Sequence, residues 1–252
     1  MTRLTLYNRL KIFVLALCAL FSVHTAAYAG PPYETDDPEP TNYRNYEIYL
    51  YGDYHRILDD ISASPATLEF NYGVLPNTRF SVSIPSASSA QTNGLGDIEI
   101  ALKYRFLPED AGRPQIAFYP SVTVATGNPA TGLGEGHGTT FLPLWAQKSW
   151  GKWTLFGGAG LQLDRESGGD VSWHEGLAVT RDVGTTNVGV EVYRQTPEGV
   201  ELPGYTDLGV GIISPIGDYH AWLLSLGRAL APDSVHAYAA YEWRLGPSKT
   251  DP

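Results

Sequence analysis

One stretch decides the fold: Asp97-Ile98-Glu99-Ile100-Ala101-Leu102-Lys103-Tyr104-Arg105-Phe106. Its even positions are apolar or aromatic, and its odd positions are charged or small. Because a β-strand directs successive side chains to opposite faces, this segment has one wholly apolar face and one charged face. The apolar face ends in Tyr104 and Phe106 beside a turn, which is typical of a strand that meets lipid on its outer side.

The same alternation returns along most of the chain. It predicts an all-β fold with twelve strands, near residues 45–56, 66–73, 78–85, 95–106, 114–126, 139–149, 152–164, 170–181, 185–195, 205–214, 219–228 and 234–245. Tight connections alternate with more open ones, as in outer-membrane barrels with short periplasmic turns and longer outer loops. We therefore predict a transmembrane, antiparallel, up-and-down β-barrel of about 12 strands.

The segment 139–149 is the exception to this alternation. Its sequence Phe141-Leu142-Pro143-Leu144-Trp145 is apolar at every position, so neither face can be assigned to the lipid. Pro143 has no backbone N–H and gives up one hydrogen bond of the ladder, which favours a β-bulge at this point.

The first 29 residues have the features of a secretory signal peptide. Arg3, Arg9 and Lys11 precede a short apolar core, and Ala27-Tyr28-Ala29 fits a cleavage site. We predict a signal peptide at 1–29, an acidic Pro-rich arm at 30–44, the β-barrel at 45–246 and a C-terminal tail at 247–252. The single cysteine, Cys18, would leave with the signal peptide, which argues against a disulfide scaffold or a thiol enzyme.

The charge balance bears on the expected partners. The chain has 27 acidic and 17 basic residues and a formal net charge of −10, which argues against nucleic acid as a partner. The scattered histidines lack the spacing of metal ligands, and the Gly-rich stretch 132–138 lacks the Lys and the following helix of a phosphate-binding loop. We expect no metal and no cofactor. The expected partners are the lipid bilayer, a small-molecule solute and the outer-membrane assembly machinery.

Two sets of side chains are candidates for function. Aromatic residues on the outward face, next to tight turns or the C-terminal end, predict a periplasmic aromatic girdle: Tyr72, Tyr104, Phe106, Trp153, Tyr241 and Trp243. Charged and polar residues of the opposite parity predict the lining of the lumen: Glu47, Asp53, His55, Glu69, Arg79, Asp97, Glu99, Lys103, Arg105, Glu191, Glu242 and Arg244.

Other interpretations remain open at this stage. A barrel of intermediate size either leaves a narrow conduit or is filled by its own side chains as a purely structural barrel. Ser172 and His174 share one face of a predicted strand, near Asp170 and Glu175, so a lipid-modifying enzyme is the catalytic alternative. A soluble periplasmic β protein is the third reading. The acidic arm is either a disordered lead-in or a plug that folds into the lumen and meets the basic residues.

Four short stretches carry a resemblance to a known family. They are Tyr33-Glu34-Thr35-Asp36-Asp37-Pro38-Glu39, Tyr46-Glu47-Ile48-Tyr49-Leu50, the stretch Gly94 to Phe106 and the closing Tyr241-Glu242-Trp243-Arg244-Leu245. In this order the chain resembles a family of bacterial outer-membrane channels named after the meta-cleavage pathway of phenol degradation. The resemblance implies an outer-membrane channel for passive transport of small solutes, with hydrophobic or aromatic compounds as the expected class, and it brings no catalytic residues.

Overall fold

The computed structural model describes residues 32–58, 60–88, 92–165, 169, 171–197, 203–229 and 232–247. The expected signal peptide at 1–29 and the last five residues of the expected tail lie outside the described residues. Among the described residues, no helix combines the length and the apolar character needed to cross a membrane.

The described residues form fourteen β-strands and one short 3-10 helix at Pro129–Thr131. The strands are β1 Tyr46–Ile57, β2 Asp60–Leu75, β3 Thr78–Ser88, β4 Asn93–Leu95, β5 Ile98–Leu107, β6 Gln115–Phe118, β7 Ser121–Val124, β8 Thr139–Trp150, β9 Trp153–Asp164, β10 Val171–Val183, β11 Thr186–Gln195, β12 Tyr205–Ile216, β13 His220–Ala229 and β14 Ser234–Leu245.

These segments make a closed ring of twelve strand lines. Strands β4 and β5 follow one another along β3, and β6 and β7 follow one another between β5 and β8. The ring closes because β1 pairs with β14, antiparallel, from Tyr46↔Leu245 to Ile57↔Ser234. The predicted antiparallel barrel of about 12 strands is confirmed. The end that holds Tyr46 and Leu245 is called the periplasmic end below, since both termini of such barrels lie there, and the opposite end the outer end.

The prediction of a β-bulge at Pro143 is wrong. Strand β8 pairs with β9 without a shift in register, from Thr139↔Asp164 to Trp150↔Trp153. The hydrogen-bond ladder is interrupted on the other side of β8 instead. There β6 ends at Phe118 and β7 begins at Ser121, and Pro120 between them has no N–H to donate. Strand β8 also alternates, because Pro143 and Trp145 are buried whereas Leu142 and Leu144 are exposed.

Burial in this barrel is the inverse of that in a water-soluble sheet. Leu102 is 44% exposed and Leu226 62% exposed, whereas their strand neighbours Lys103 and Ser225 are buried at 0% and 4%. An apolar surface of this extent is unfavourable in water but matches the hydrocarbon core of a membrane. The polar residues therefore line the interior, and the functional groups are to be sought there.

Candidate functional site

The charged residues predicted to line the lumen are found mainly on the inner face. Eleven of the twelve lie within strands and are buried or half-buried, although they carry polar side chains. Asp97 differs, because it lies in the two-residue gap between β4 and β5. Its carboxylate accepts hydrogen bonds from the N–H groups of Gly127 at 2.8 Å and Glu135 at 2.9 Å, so it anchors the outer loop between β7 and β8.

A segment that precedes the barrel lies inside it. We call residues 32–42 the arm; in it Tyr33, Thr35, Asp37 and Thr41 are all buried. The C-terminal end of the arm lies at the periplasmic end of the barrel, where the Thr41 hydroxyl donates to Glu47 Oε2 at 2.6 Å. Just after it, the backbone N–H of Arg44 donates to the carbonyl of Gly73 at 2.8 Å. The base of the arm is thus fixed to β1 and β2.

Basic side chains of β5 hold the middle of the arm. Lys103 Nζ donates to Asp36 Oδ1 at 3.0 Å and to the carbonyl of Asp37 at 2.6 Å. Arg105 forms an ion pair with Glu39, with 2.8 Å between Nη1 and Oε1. Lys103 is completely buried, and an ammonium group in that position requires such partners because desolvation disfavours its charge.

The tip of the arm reaches the opposite wall. The Tyr33 hydroxyl donates to the carbonyl of Gly211 on β12 at 3.1 Å, and its ring packs edge-on against Phe156 at 5.8 Å between centroids. Glu191 on β11 accepts hydrogen bonds from the backbone N–H groups of Glu34 and Thr35, at 3.2 and 3.0 Å. The arm therefore crosses the bore, from β1 and β2 past β5 to β11 and β12.

Two wall glycines make room for the arm. A Cβ added at Gly176 would overlap the side chain of Thr35, and one added at Gly211 would overlap the ring of Tyr33. The close approach of the arm is possible because these positions have no side chain. The wall and the arm are complementary in shape as well as in charge.

A second group of side chains lies near the outer end of the bore. We call Phe141, His174, Tyr193, Tyr205 and His55 the outer aromatic cluster. His174 Nδ1 lies 2.5 Å from the Tyr193 hydroxyl, and its ring meets Phe141 edge-on at 5.1 Å. The rings of His55 and Tyr205 meet in the same way at 5.1 Å. Of these, only His55 is among the residues that the sequence predicts to line the lumen.

The candidate catalytic pair faces the bore and not the lipid. Ser172 Oγ lies 3.2 Å from His174 Nε2, and both side chains are buried. The other ring nitrogen of His174 meets the Tyr193 hydroxyl, so the third position holds a phenol and not a carboxylate. Glu175 points outward, where its carboxylate lies 3.8 Å from Arg194. Asp170 lies outside the described residues.

The predicted girdle residues lie on the outward face near the periplasmic end. Trp153 is 49% exposed and lies under the guanidinium of Arg181, 5.1 Å from the ring centroid, while Tyr104 and Phe106 are about half exposed. Tyr72 stacks on Tyr46 at 4.6 Å. The remaining two form one aromatic row with Trp222: Tyr241 lies 4.8 Å from Trp222 and 4.6 Å from Trp243. Tyr46 and Trp222 were not among the predicted residues.

Ionised groups also organise the outer rim. Asp233, in the connection between β13 and β14, accepts hydrogen bonds at 3.0 Å from Arg56 Nη2 and from Arg228 Nη2. These hydrogen bonds lower the pKa of Asp233, because they favour its charged form. In the described part of the chain, no three His, Cys, Asp or Glu side chains come together in a group that could bind a metal ion.

Comparisons with known proteins bear on both the family and the fold. The family described as MetA-pathway of phenol degradation matches residues 57–225, more than half of the chain. An outer-membrane channel from Pseudomonas putida F1 has a similar structure, with 17% identity, a TM-score of 0.65, and coverage of 83% of this chain and 98% of that one. The KdgM porin in complex with oligogalacturonate gives 8% identity, a TM-score of 0.58, and coverage of 78% and 98%. No curated protein matches the chain.

Proposed function

The chain belongs to the family of the MetA-pathway of phenol degradation, and from this premise we propose that it is an outer-membrane channel through which small solutes move passively. The observation that carries the proposal is the contrast between an apolar exterior and a bore lined by ionised and hydrogen-bonding side chains. Such a lining supports polar solutes and water where the surrounding lipid cannot.

We propose small aromatic compounds with a hydroxyl group as the solute class. The family description names phenol degradation, and the outer aromatic cluster offers ring faces and edges from Phe141 and Tyr205 beside the polar atoms of His174 and Tyr193. Aromatic rings favour edge-on and offset packing, and a phenol can exchange hydrogen bonds with imidazole and hydroxyl groups. A phenolic solute entering from the outer end would meet this cluster before the arm.

The arm is proposed to be the constriction of this pathway. Its contacts with Lys103, Arg105 and Glu191 are hydrogen bonds and ion pairs that can be broken and remade. The covalent connection between the arm and the wall is the backbone that leads into β1. Solute flux would then depend on how often the arm leaves its position.

A hydrolase acting on membrane lipid is not proposed, because Ser172 and His174 lie on the inner face of the barrel. An ester in the outer leaflet would have to pass through the wall to reach them. His174 Nδ1 also meets the Tyr193 hydroxyl, at the position where a Ser-His-acid triad has the carboxylate that orients the base.

The test is solute flux through the purified protein in liposomes. Phenol, a small organic acid and a small sugar should be compared at equal gradients, with protein-free liposomes as the baseline. We expect the phenolic compound to cross faster than the sugar, and Tyr193→Phe to reduce that difference because it removes one hydroxyl of the cluster. Flux equal to the protein-free baseline for all three solutes would contradict the channel function, and equal rates for all three would contradict the solute class.

A further inference from the structure

Three basic side chains lie together on the inner wall, beneath the arm. Arg79 on β3 is directly opposite Lys103 on β5, and Arg105 lies two residues further along the same face of β5. Arg79 is 6% exposed and Lys103 is completely buried. Like charges directly opposite one another on neighbouring strands destabilise a sheet, so an anionic partner stabilises this arrangement. We call these three residues the inner basic cluster.

The acceptors of the Lys103 ammonium group come from the arm. Lys103 Nζ donates to Asp36 Oδ1 at 3.0 Å and to the carbonyl of Asp37 at 2.6 Å, and it lies 4.5 Å from the ring centroid of Tyr119. Among the described residues, neither Lys103 nor Arg105 forms an ion pair with a carboxylate of the wall. A buried ammonium group without acceptors is unfavourable, so Lys103 requires a replacement ligand whenever the arm leaves.

The guanidinium of Arg105 is oriented by neutral groups of the wall. It donates to Asn77 Oδ1 from Nε at 3.2 Å and from Nη2 at 2.8 Å, and to Gln115 Oε1 from Nη1 at 2.8 Å. These amide oxygens hold the group in place without cancelling its charge. Its carboxylate partner, Glu39, belongs to the arm. Donors that are already oriented bind a carboxylate with less loss of conformational freedom.

Arg79 adds a donor that the arm does not use. Its Nε is buried and has no hydrogen-bond partner within the described part of the chain, while its Cζ lies 4.8 Å from the ring centroid of Tyr119. The Oδ2 atom of Asp37 is also buried and lacks a partner there. The contacts between the arm and the cluster are therefore incomplete. A free ligand, which is not constrained by a backbone, can satisfy the Arg79 donor as well.

The wall also carries carboxylates, and each is held by a neutral donor: Glu47 by Thr41, Glu69 by Asn71 and Glu99 by Ser121. They offset the three cations of the cluster, and Arg244 and Glu242 pair with each other. The arm adds three further carboxylates, Asp36, Asp37 and Glu39, which are held by direct contacts. A ligand with two carboxylates that replaces them brings one negative charge fewer into the bore, which favours the exchange.

We propose that the inner basic cluster is a binding site for small dicarboxylates and that the arm competes for it. One carboxylate of the ligand lies between Lys103 and Arg79, and the other lies on Arg105. Residues two apart on one face of a strand are separated by about 7 Å, which suits two carboxylates joined by a short linker. The ligand takes the places of Asp36 and Glu39, so it binds only when the arm is undocked.

This competition sets the concentration at which the ligand acts. A segment on a short tether has an effective concentration on the order of millimolar, so a free dicarboxylate has to be supplied at millimolar concentration or above. A ligand that binds only the undocked form raises the population of that form in proportion to its own occupancy of the site. The inference goes beyond the proposed passage of phenolic solutes, because it rests on the docked arm and not on conduction.

The first test follows the arm in the full chain. Thr35 is completely buried by the docked arm, so labelling of Thr35→Cys by a maleimide reports undocking. Adipate at about ten times its dissociation constant for the undocked form should raise the labelling rate about tenfold. Hexanoate, which has one carboxylate, and hexamethylenediamine, which has the opposite charge, should have little effect. Sodium chloride at equal ionic strength is the control for screening of the ion pairs, and a rate no higher with adipate than with this salt would overturn the proposal.

The second test separates the wall from the arm by calorimetric titration of the full chain with adipate. Arg79→Gln should weaken binding about tenfold, equivalent to about 1.4 kcal/mol, because it removes a donor for the ligand. It should leave the labelling rate without ligand close to that of the parent protein, because Arg79 forms no ion pair with the described arm. Glu39→Gln should strengthen binding about threefold, because it weakens the competitor and raises the binding-competent fraction.

The matched control is Lys148→Gln. Lys148 on β8 has the same kinds of partner as Lys103, a carboxylate in Glu109 at 3.1 Å and a backbone carbonyl in Asp110 at 2.6 Å. It shares the face of the exposed Leu144, and its loss should leave adipate binding unchanged. Equal losses in Lys148→Gln and Arg79→Gln, hexanoate binding as tight as that of adipate, or no gain in Glu39→Gln would each overturn the proposal.

The two proposals can fail separately. Adipate binding and arm release in a barrel that conducts no solute would overturn the channel function alone. Normal flux of phenol in a barrel that does not bind adipate would overturn the dicarboxylate site alone. Heat-dependent mobility on gels confirms in each case that the variant has folded.

Discussion

Lys103 Nζ donates to Asp36 Oδ1 at 3.0 Å, joining the inner wall of β5 to a residue 67 positions earlier in the chain. Lys103 has no exposed surface, whereas the Asp36 side chain is 21% exposed. The pair therefore fixes the arm at a point where the ammonium group of Lys103 is shielded from solvent and the carboxylate of Asp36 is partly accessible from the bore. Under the proposed function, solute flux through the bore depends on how often such contacts break.

Removal of the arm should open the bore. We expect deletion of 33–42 to raise single-channel conductance in a planar bilayer, because it removes the segment that crosses from Glu47 to Gly211. Replacing the same residues with an equal length of Gly and Ser is the control for tether length, and it should also raise conductance. Conductance unchanged by the deletion would show that the arm does not limit flow.

Loss of the Lys103 charge should loosen the arm. Hydrogen bonds to charged groups contribute roughly 1.5–3 kcal/mol each, so Lys103→Gln should raise the population of the undocked arm about tenfold or more. Thr35→Cys provides the measurement, because Thr35 is fully buried by the docked arm and its labelling rate by a maleimide reports exposure. Lys103→Arg, which keeps the charge, should label much more slowly than Lys103→Gln. A labelling rate that is the same in all three backgrounds would contradict the role of this pair.

The lipid-facing surface should reject charge according to depth. Val210 is 56% exposed at the middle of β12, and Val210→Arg should lower the free energy of unfolding by about 2–4 kcal/mol when the protein is folded into bilayers. Thr206→Arg, on the same face but near the outer end, should cost about 0–1 kcal/mol. Urea titrations monitored by tryptophan fluorescence give both values. Equal small costs at the two positions would favour a soluble sheet.

Substitution of the Ser172 and His174 pair should leave lipid turnover unchanged. Both groups face the bore and the third partner is the Tyr193 hydroxyl, so wild type, Ser172→Ala and His174→Ala should all give the background rate of phospholipid hydrolysis in detergent micelles. A rate in the wild type that both substitutions abolish would restore the enzymatic interpretation.

The sequence was sufficient for the barrel because a strand between lipid and a polar bore alternates in polarity, as at 97–106. It was insufficient for β8, since Trp145 and Phe141, whose ring meets His174, turn inward and make both faces of the strand apolar. The position of the arm could not be predicted from the sequence either. Proline and acidic residues have no periodicity, and the docking depends on Gly176 and Gly211, whose role appears only when Thr35 and Tyr33 lie against them. Asp97 was assigned to the lumen by parity, but the pairing of the outer loop gives it other partners.

The partner of Tyr33, the carbonyl of Gly211, lies 178 positions further along the chain. Since a polypeptide is exported from its N-terminus, the arm enters the periplasm before any strand that will hold its tip. Its seat on β11 and β12 exists only once the late strands have joined the sheet. Insertion should therefore pass through a stage in which the barrel is closed but the arm is not yet docked inside it. Docking of the arm should be the final, separable step of biogenesis.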